Sequence, residues 1–171
     1  MTKLIYFSYG SNMMSARLRY RVPSCAMIGL ARLPRYQLRF NKRSIDKSGK
    51  CNAVYTGNER DEIIGVVYEI PENEKPKLDR AEGLGNGYHE ERLRVILSND
   101  SSIEVRTYVA DATRIDNSLK PYTWYKEFVV SGALEQGLPA EYISTHIEPV
   151  ATTIDPDQQR EKDRRAELVH S

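Results

Sequence analysis

Cysteine is nearly missing from this 171-residue chain, which holds only Cys25 and Cys51. Two thiols make no disulfide framework, and neither has a His or a second Cys at metal-ligand spacing, so both read as structural. Histidine is almost as scarce: His89, His146 and His170 are spaced for neither a metal site nor a catalytic triad. No G-x-S-x-G, P-loop or C-x-x-C is present. No apolar run approaches the ~20 residues that span a bilayer. Arg17, Arg19 and Arg21 interrupt the N-terminus before the apolar core of a leader could form. The net charge of +1 supplies no overall field for nucleic acid or membrane. These absences set aside motif-bearing hydrolases, nucleotide-binding proteins and disulfide-stapled secreted domains. A soluble, reduced, cytoplasmic protein is the expectation.

The length suits one well-cored domain rather than two. The aromatic residues are skewed, with eleven Tyr against three Phe and one Trp. Tyrosine joins an apolar body to a hydroxyl, which suits a half-polar pocket or the edge of a core.

Strand-like segments dominate the first two thirds of the chain. Leu4–Phe7 is an apolar run, and Cys25–Leu33, Tyr36–Phe40 and Ala53–Thr56 follow it. Ile63–Ile70 reads as a central strand that Pro71 ends. Glu72–Ala81 has helical spacing, with Leu78 and Ala81 inward and Asp79 and Arg80 outward. Glu82–Gly87 is a loop with three glycines. Glu91–Leu97 and Ile103–Ala110 form a hairpin. Pro121–Leu134 is the strongest helix, with Tyr125, Phe128, Val129 and Leu134 along one side. Ala140–His146 is a shorter helix. Residues 154–171 carry five acids and four bases with almost no apolar residue, as in a solvated helix or a disordered tail. The order is not a regular alternation of strand and helix. It predicts an α+β fold, one compact domain over 1–150 with a small mixed β-barrel flanked by helices, followed by a charged tail at 151–171.

Two places could carry chemistry. Tyr9-Gly10-Ser11-Asn12 leaves a strand for a helix, which exposes backbone N–H groups suited to a carboxylate or a developing oxyanion. Asn12 could cap the helix or donate to a ligand. On spacing alone, a plain helix cap is the stronger reading. Glu82 ends a helix and opens the glycine-rich loop. Among apolar and tyrosyl groups, desolvation would raise its pKa towards the range of a general base; an ordinary exposed Glu is the plainer alternative. Eight Arg or Lys residues lie between Arg17 and Arg43 with no acid among them. Alternation along Tyr36-x-Leu38-x-Phe40 favours solvent-facing strand sides for this basic run over an acidic-ligand face.

Tyr9–Asn12 after an apolar strand, Glu82-Gly83 at a helix end and Gly132–Tyr142 ("GALEQGLPAEY") together resemble the γ-glutamylcyclotransferases, the AIG2-like fold. "ARL" at 31–33, "GVVYEI" at 65–70, "GYHEERLRV" at 87–95 and "WYKEFVVSGA" at 124–133 fall in the same order, so the resemblance covers residues 3–150. It implies a compact barrel that needs no metal or cofactor. It also implies an enzyme that cyclises a γ-glutamyl group to 5-oxoproline and frees the attached amine. By that resemblance Glu82 is the acid/base. Tyr9, Gly10, Ser11 and Asn12 hold the glutamyl moiety, and Tyr88, Tyr108 and Tyr125 stand around the pocket.

The expected partner is a small γ-glutamyl compound, with no nucleic acid or membrane, and a homodimer is left open. Three alternatives stand beside this reading. One keeps the chemistry on a γ-glutamylated natural-product intermediate or a γ-glutamyl-ε-lysine amide. Another is a non-catalytic metabolite-binding protein on the same fold. The last is a nucleic-acid module resting on the basic run.

Overall fold

The computed structural model describes residues 2–169, which leaves His170 outside the described residues. Its strands are β1 Lys3–Ser8, β2 Ala26–Pro34, β3 Tyr36–Arg43, β4 Gly49–Tyr55, β5 Glu62–Pro71, β6 Tyr88–Leu97 and β7 Ser102–Ala110. Its helices are α1 Ser15–Arg21, α2 Lys75–Glu82, α3 Thr123–Glu135, α4 Ala140–His146 and α5 Gln158–Val169. None is long and apolar enough to cross a membrane.

Five strands close into a barrel in the order β1-β5-β2-β6-β7. Strand β5 is its hub, antiparallel to β1 from Lys3↔Pro71 to Ser8↔Val66 and to β2 from Ala26↔Glu69 to Pro34↔Glu62. The apolar run of β5 is buried on successive residues, Val66, Val67 and Tyr68, so both faces of the strand are covered along this stretch. Closure comes from one parallel contact, Tyr6↔Arg106, which joins β1 to β7. Phe7, Ile63, Val66, Val67 and Val95 are fully buried. Each contributes about 1.5–3 kcal/mol by leaving water.

Strands β3 and β4 pair with each other as a separate two-stranded sheet. Polar contacts fasten this hairpin to the barrel rim. Asn52 Oδ1 accepts from the Ala110 N–H at 3.0 Å, while Asn52 Nδ2 donates to Asn41 Oδ1 at 3.0 Å. Because both ends of the Asn52 amide are used, the hairpin carries Lys42, Lys50 and Cys51 to a defined place.

Three helix readings need correction. Helix α3 begins at Thr123 with Tyr122 extended before it, so Pro121 precedes the helix rather than opening it. Leu134 is 63% exposed, and the buried side runs instead through Trp124, Tyr125, Phe128, Val129, Gly132 and Ala133. In α2, Ala81 is exposed and Asp79 turns inward to accept from the Tyr108 hydroxyl at 2.6 Å.

The charged C-terminal segment forms α5, which lies against α3. Asp155, just before it, is buried and accepts from Trp124 Nε1 at 2.9 Å and twice from the Arg160 guanidinium at 2.6 Å. Burial alone would raise its pKa, but the Arg160, Trp124 and Asp157 N–H hydrogen bonds outweigh that and hold it at about 2. The sign follows from the depressed value: this stabilisation is full above pH ~4 and lost as pH falls towards 2. Asp155→Asn is expected to cost about 2–3 kcal/mol at pH 7, near the lower end for a broken buried pair, because Arg160 remains 30% exposed. Urea unfolding at pH 7 and pH 3 checks this, and the difference from wild type must shrink at the lower pH.

Candidate active site

The cleft forms where β1 ends. After Ser8 the chain makes a 3-10 turn over Ser11–Met13, then starts α1 at Ser15. The strand therefore does not run straight into an α-helix, and α1 has no side-chain cap. The N–H groups of Gly10, Ser11 and Asn12 donate to no other described residue, while Met13 and Met14 bond back to Gly10 and Ser11. Gly10 is needed for close approach: a Cβ there would lie 3.0 Å from Cys51 Cβ and 3.6 Å from the Tyr125 hydroxyl.

Asn12 is not a cap. Its Nδ2 donates to the Tyr6 hydroxyl at 3.1 Å and to Glu82 Oε1 at 2.8 Å, and its Oδ1 accepts from Arg21 Nη1 at 2.6 Å. Arg21 also reaches Glu82 Oε1 at 2.7 Å. Glu82 is thus held through one oxygen by an amide and a guanidinium, and not only among apolar and tyrosyl groups as expected. Its Oε2 has no partner among the described residues.

Helix α2 delivers Glu82 as its last residue. Gly83 follows in the left-handed conformation (φ +69°), and Leu84 N–H returns to Asp79 O at 2.9 Å, an arrangement that ends a helix abruptly. The Tyr108–Asp79 bond anchors the same helix to β7, so the carboxylate is positioned by the barrel wall.

The cleft is open to solvent on one side and has a cavity volume of about 30 Å³. It is lined by all eight residues singled out from the sequence: Tyr9, Gly10, Ser11, Asn12 and Glu82 with Tyr88, Tyr108 and Tyr125. The tyrosines are wall rather than free acids. Tyr9 donates to the Tyr108 carbonyl and Tyr88 to the Cys51 carbonyl, while the Tyr125 hydroxyl accepts from the Cys51 N–H at 3.1 Å. Burial pushes the pKa values of Tyr9, Tyr88 and Tyr125 well above the ordinary phenol range. Cys51 is pushed up to about 12, with burial the largest cause, so its thiol stays protonated and is no nucleophile at neutral pH.

Sequence reasoning missed Arg21, Tyr6, Ser8, Thr107 and Cys51, all at or in contact with this cleft. Only Arg21 had left a signal, as part of the acid-free basic run. That run divides in the structure. Arg19, Arg32, Arg35 and Arg39 are exposed, while Arg17, Arg21, Lys42 and Arg43 converge beside Glu82.

A closed five-stranded barrel with a glycine turn and a single carboxylate meeting at its rim is the arrangement that the resemblance to the γ-glutamylcyclotransferases implied. Comparisons with known proteins sharpen this. The AIG2-like family model matches residues 62–145. The γ-glutamylcyclotransferase of Homo sapiens is 32% identical over 146 residues, covering 81% of this chain and 74% of that one. The Bos taurus enzyme is 30% identical over 145 residues with the same coverage. A solved γ-glutamyl cyclotransferase superposes with a TM-score of 0.84 at 25% identity, covering 96% of this chain and 99% of that one. A human protein described as uncharacterized gives a TM-score of 0.81 at 28% identity over the same shares of the two chains. This chain belongs to the γ-glutamylcyclotransferase family.

Proposed function

We propose that the chain converts a small γ-glutamyl amine or amino acid into 5-oxoproline and the free amine, with Glu82 as the acid/base. The observation that carries this reading is the meeting of Glu82 with the free N–H groups of the Gly10–Asn12 turn in one cleft, 70 residues apart in sequence. In the proposed reaction Glu82 Oε2 accepts a proton from the substrate α-ammonium. The freed nitrogen attacks the γ-carbonyl carbon of the same molecule, and the carbonyl electrons move onto its oxygen. Attack leaves that nitrogen positive with two protons. As the tetrahedral centre collapses, Glu82 returns the first proton to the leaving nitrogen and the C–N bond to the old partner breaks. The ring nitrogen's surplus proton passes to the freed amine, which departs as an ammonium. The turn N–H groups suit the substrate α-carboxylate or the developing oxyanion.

Nucleophile and electrophile lie in one molecule, so no covalent nucleophile is required of the protein. Holding the near-attack conformer can supply about 7–11 kcal/mol. Asn12 and Arg21 position Glu82 through Oε1. The test is incubation with a panel of γ-glutamyl amino acids and γ-glutamyl amines, with direct detection of 5-oxoproline. Release from at least one compound is expected, and silence across the panel would overturn the proposal.

A further inference from the structure

We propose that the amine leaving the γ-glutamyl group carries two or more negative charges, and that a basic vestibule at the cleft mouth recognises it. This names the substrate class of the site and rests on the cyclotransferase reading above.

Beside the cleft, and sharing Ser11, Glu82, Tyr88 and Tyr125 with it, lies a wider open hollow of about 470 Å³. A substrate whose glutamyl end fills the inner cleft would extend its other end into this space. Seven of the sixteen residues lining it are Lys or Arg, and Glu82 is the one acid. Four of these cations are already matched: Arg21 by Glu82, Lys50 by Asp46, Arg43 by Asp116 and Arg17 by Glu167. The side chains of Lys42, Arg80 and Arg114 make no ion pair or hydrogen bond among the described residues.

Lys42 is the telling one. It is only 7% exposed, and its ammonium lies over the Tyr88 ring, 4.5 Å from the centroid. The chain makes room for it at Gly87 (φ +142°), where a Cβ would come within 2.8 Å of Lys42 Cε. A nearly buried ammonium without an anion is unfavourable unless something supplies one. The charges that face it are Glu82, Asp46 and Asp111, opposed by Arg114. Glu82 and Asp46 are committed to Arg21 and Lys50, and Asp111, bound to His89 Nδ1 at 2.9 Å, makes no ion pair with Lys42 itself. A monocarboxylate leaving group would answer one of the three unmatched cations. Arg80 and Arg114 are exposed and solvated, so Lys42 is the buried cation that lacks an ion pair, and a second anionic group on the leaving amine would meet one of these two arginines as well. The same sign works against a leaving group with a free ammonium, which disfavours the γ-glutamyl-ε-lysine amide.

The test compares kcat/KM for γ-glutamyl-glutamate and γ-glutamyl-phosphoserine with γ-glutamyl-glutamine, γ-glutamyl-ε-lysine and γ-glutamyl-butylamine. Calorimetric binding of the same five compounds to E82Q runs in parallel. Both leaving groups with two or more negative charges are expected to lead the glutamine compound by about tenfold, the value of one charge-assisted hydrogen bond in a part-buried site. Whichever of the two ranks first assigns the vestibule to polycarboxylate or phosphate. The lead should narrow in 0.5 M salt. Lys42→Met, checked for folding by its melting curve, should reduce the glutamate-to-glutamine ratio towards unity. Turnover of all five compounds without a dianion lead would overturn the vestibule and leave the cyclotransferase reading intact. Turnover of none, with a dianion lead still present in binding, would overturn the reaction and keep the vestibule. No lead in either measurement would remove the proposal.

Discussion

Glu82→Gln is expected to abolish 5-oxoproline release while leaving the protein folded and able to bind its substrate. The amide keeps an oxygen where Asn12 Nδ2 and Arg21 Nη1 now donate, at 2.8 and 2.7 Å, so the cleft retains its shape. What it loses is the capacity to take a proton at the second oxygen and return it to the leaving amine. A positioned acid/base contributes roughly 10²–10⁴-fold, and turnover should fall by at least the lower figure. Exchanging a charged for a neutral acceptor beside Arg21 should cost about 1 kcal/mol of stability, visible as a small shift in the urea midpoint. The decisive measurement is single-turnover 5-oxoproline formation beside calorimetric binding. Wild-type turnover in the variant would remove Glu82 from its assigned role, and loss of binding together with turnover would mark it as a binding group.

Gly132→Ala should be as damaging, from a position that never touches the cleft. Helix α3 crosses the 3-10 turn at this glycine, where a Cβ would sit 2.5 Å from Met14 N, 2.8 Å from Met13 C and 2.9 Å from Met13 Cβ. Two of these neighbours are backbone atoms, which cannot swing aside as a side-chain tip does. Either α3 lifts from the turn or the turn shifts, and Gly10–Asn12 move with it. Overpacking of this kind costs about 3 kcal/mol, and the displaced turn should also raise KM in the fraction that stays folded. Gly29→Ala is the control: nothing lies within 4 Å of a Cβ there, and its φ is not positive. Equilibrium unfolding of the two variants side by side checks the contrast, and equal stability would disprove the close contact.

Local grammar was legible wherever local forces set it. The apolar run of β5, ended by Pro71, the helix at Ala140–His146 and the hairpin after Gly87 could all be read from periodicity and turn residues. Glu82 followed by Gly83 was legible because the helix stop requires a left-handed residue at that place. The misplacements came where a tertiary neighbour outweighed the helical period. Leu134 faces out because the crossing at Gly132 turns the other side of α3 inward, and Asp79 faces in because Tyr108 offers it a proton. Of the two roles open to Asn12, the cap is removed by its bonds to Tyr6, Glu82 and Arg21.

The sequence by itself determined the family, through an ordered set of motifs, and determined which residue types stand at the turn and at the helix end. Tertiary structure alone decided the partners of Glu82 and the sorting of the basic run into exposed and converging halves. It also decided the closing of the barrel through Tyr6 and Arg106. The reason is physical. Strand and helix periods act between residues a few positions apart, and a sequence displays them directly. A guanidinium meets a carboxylate 61 residues away only when the barrel brings α1 and α2 to the same rim.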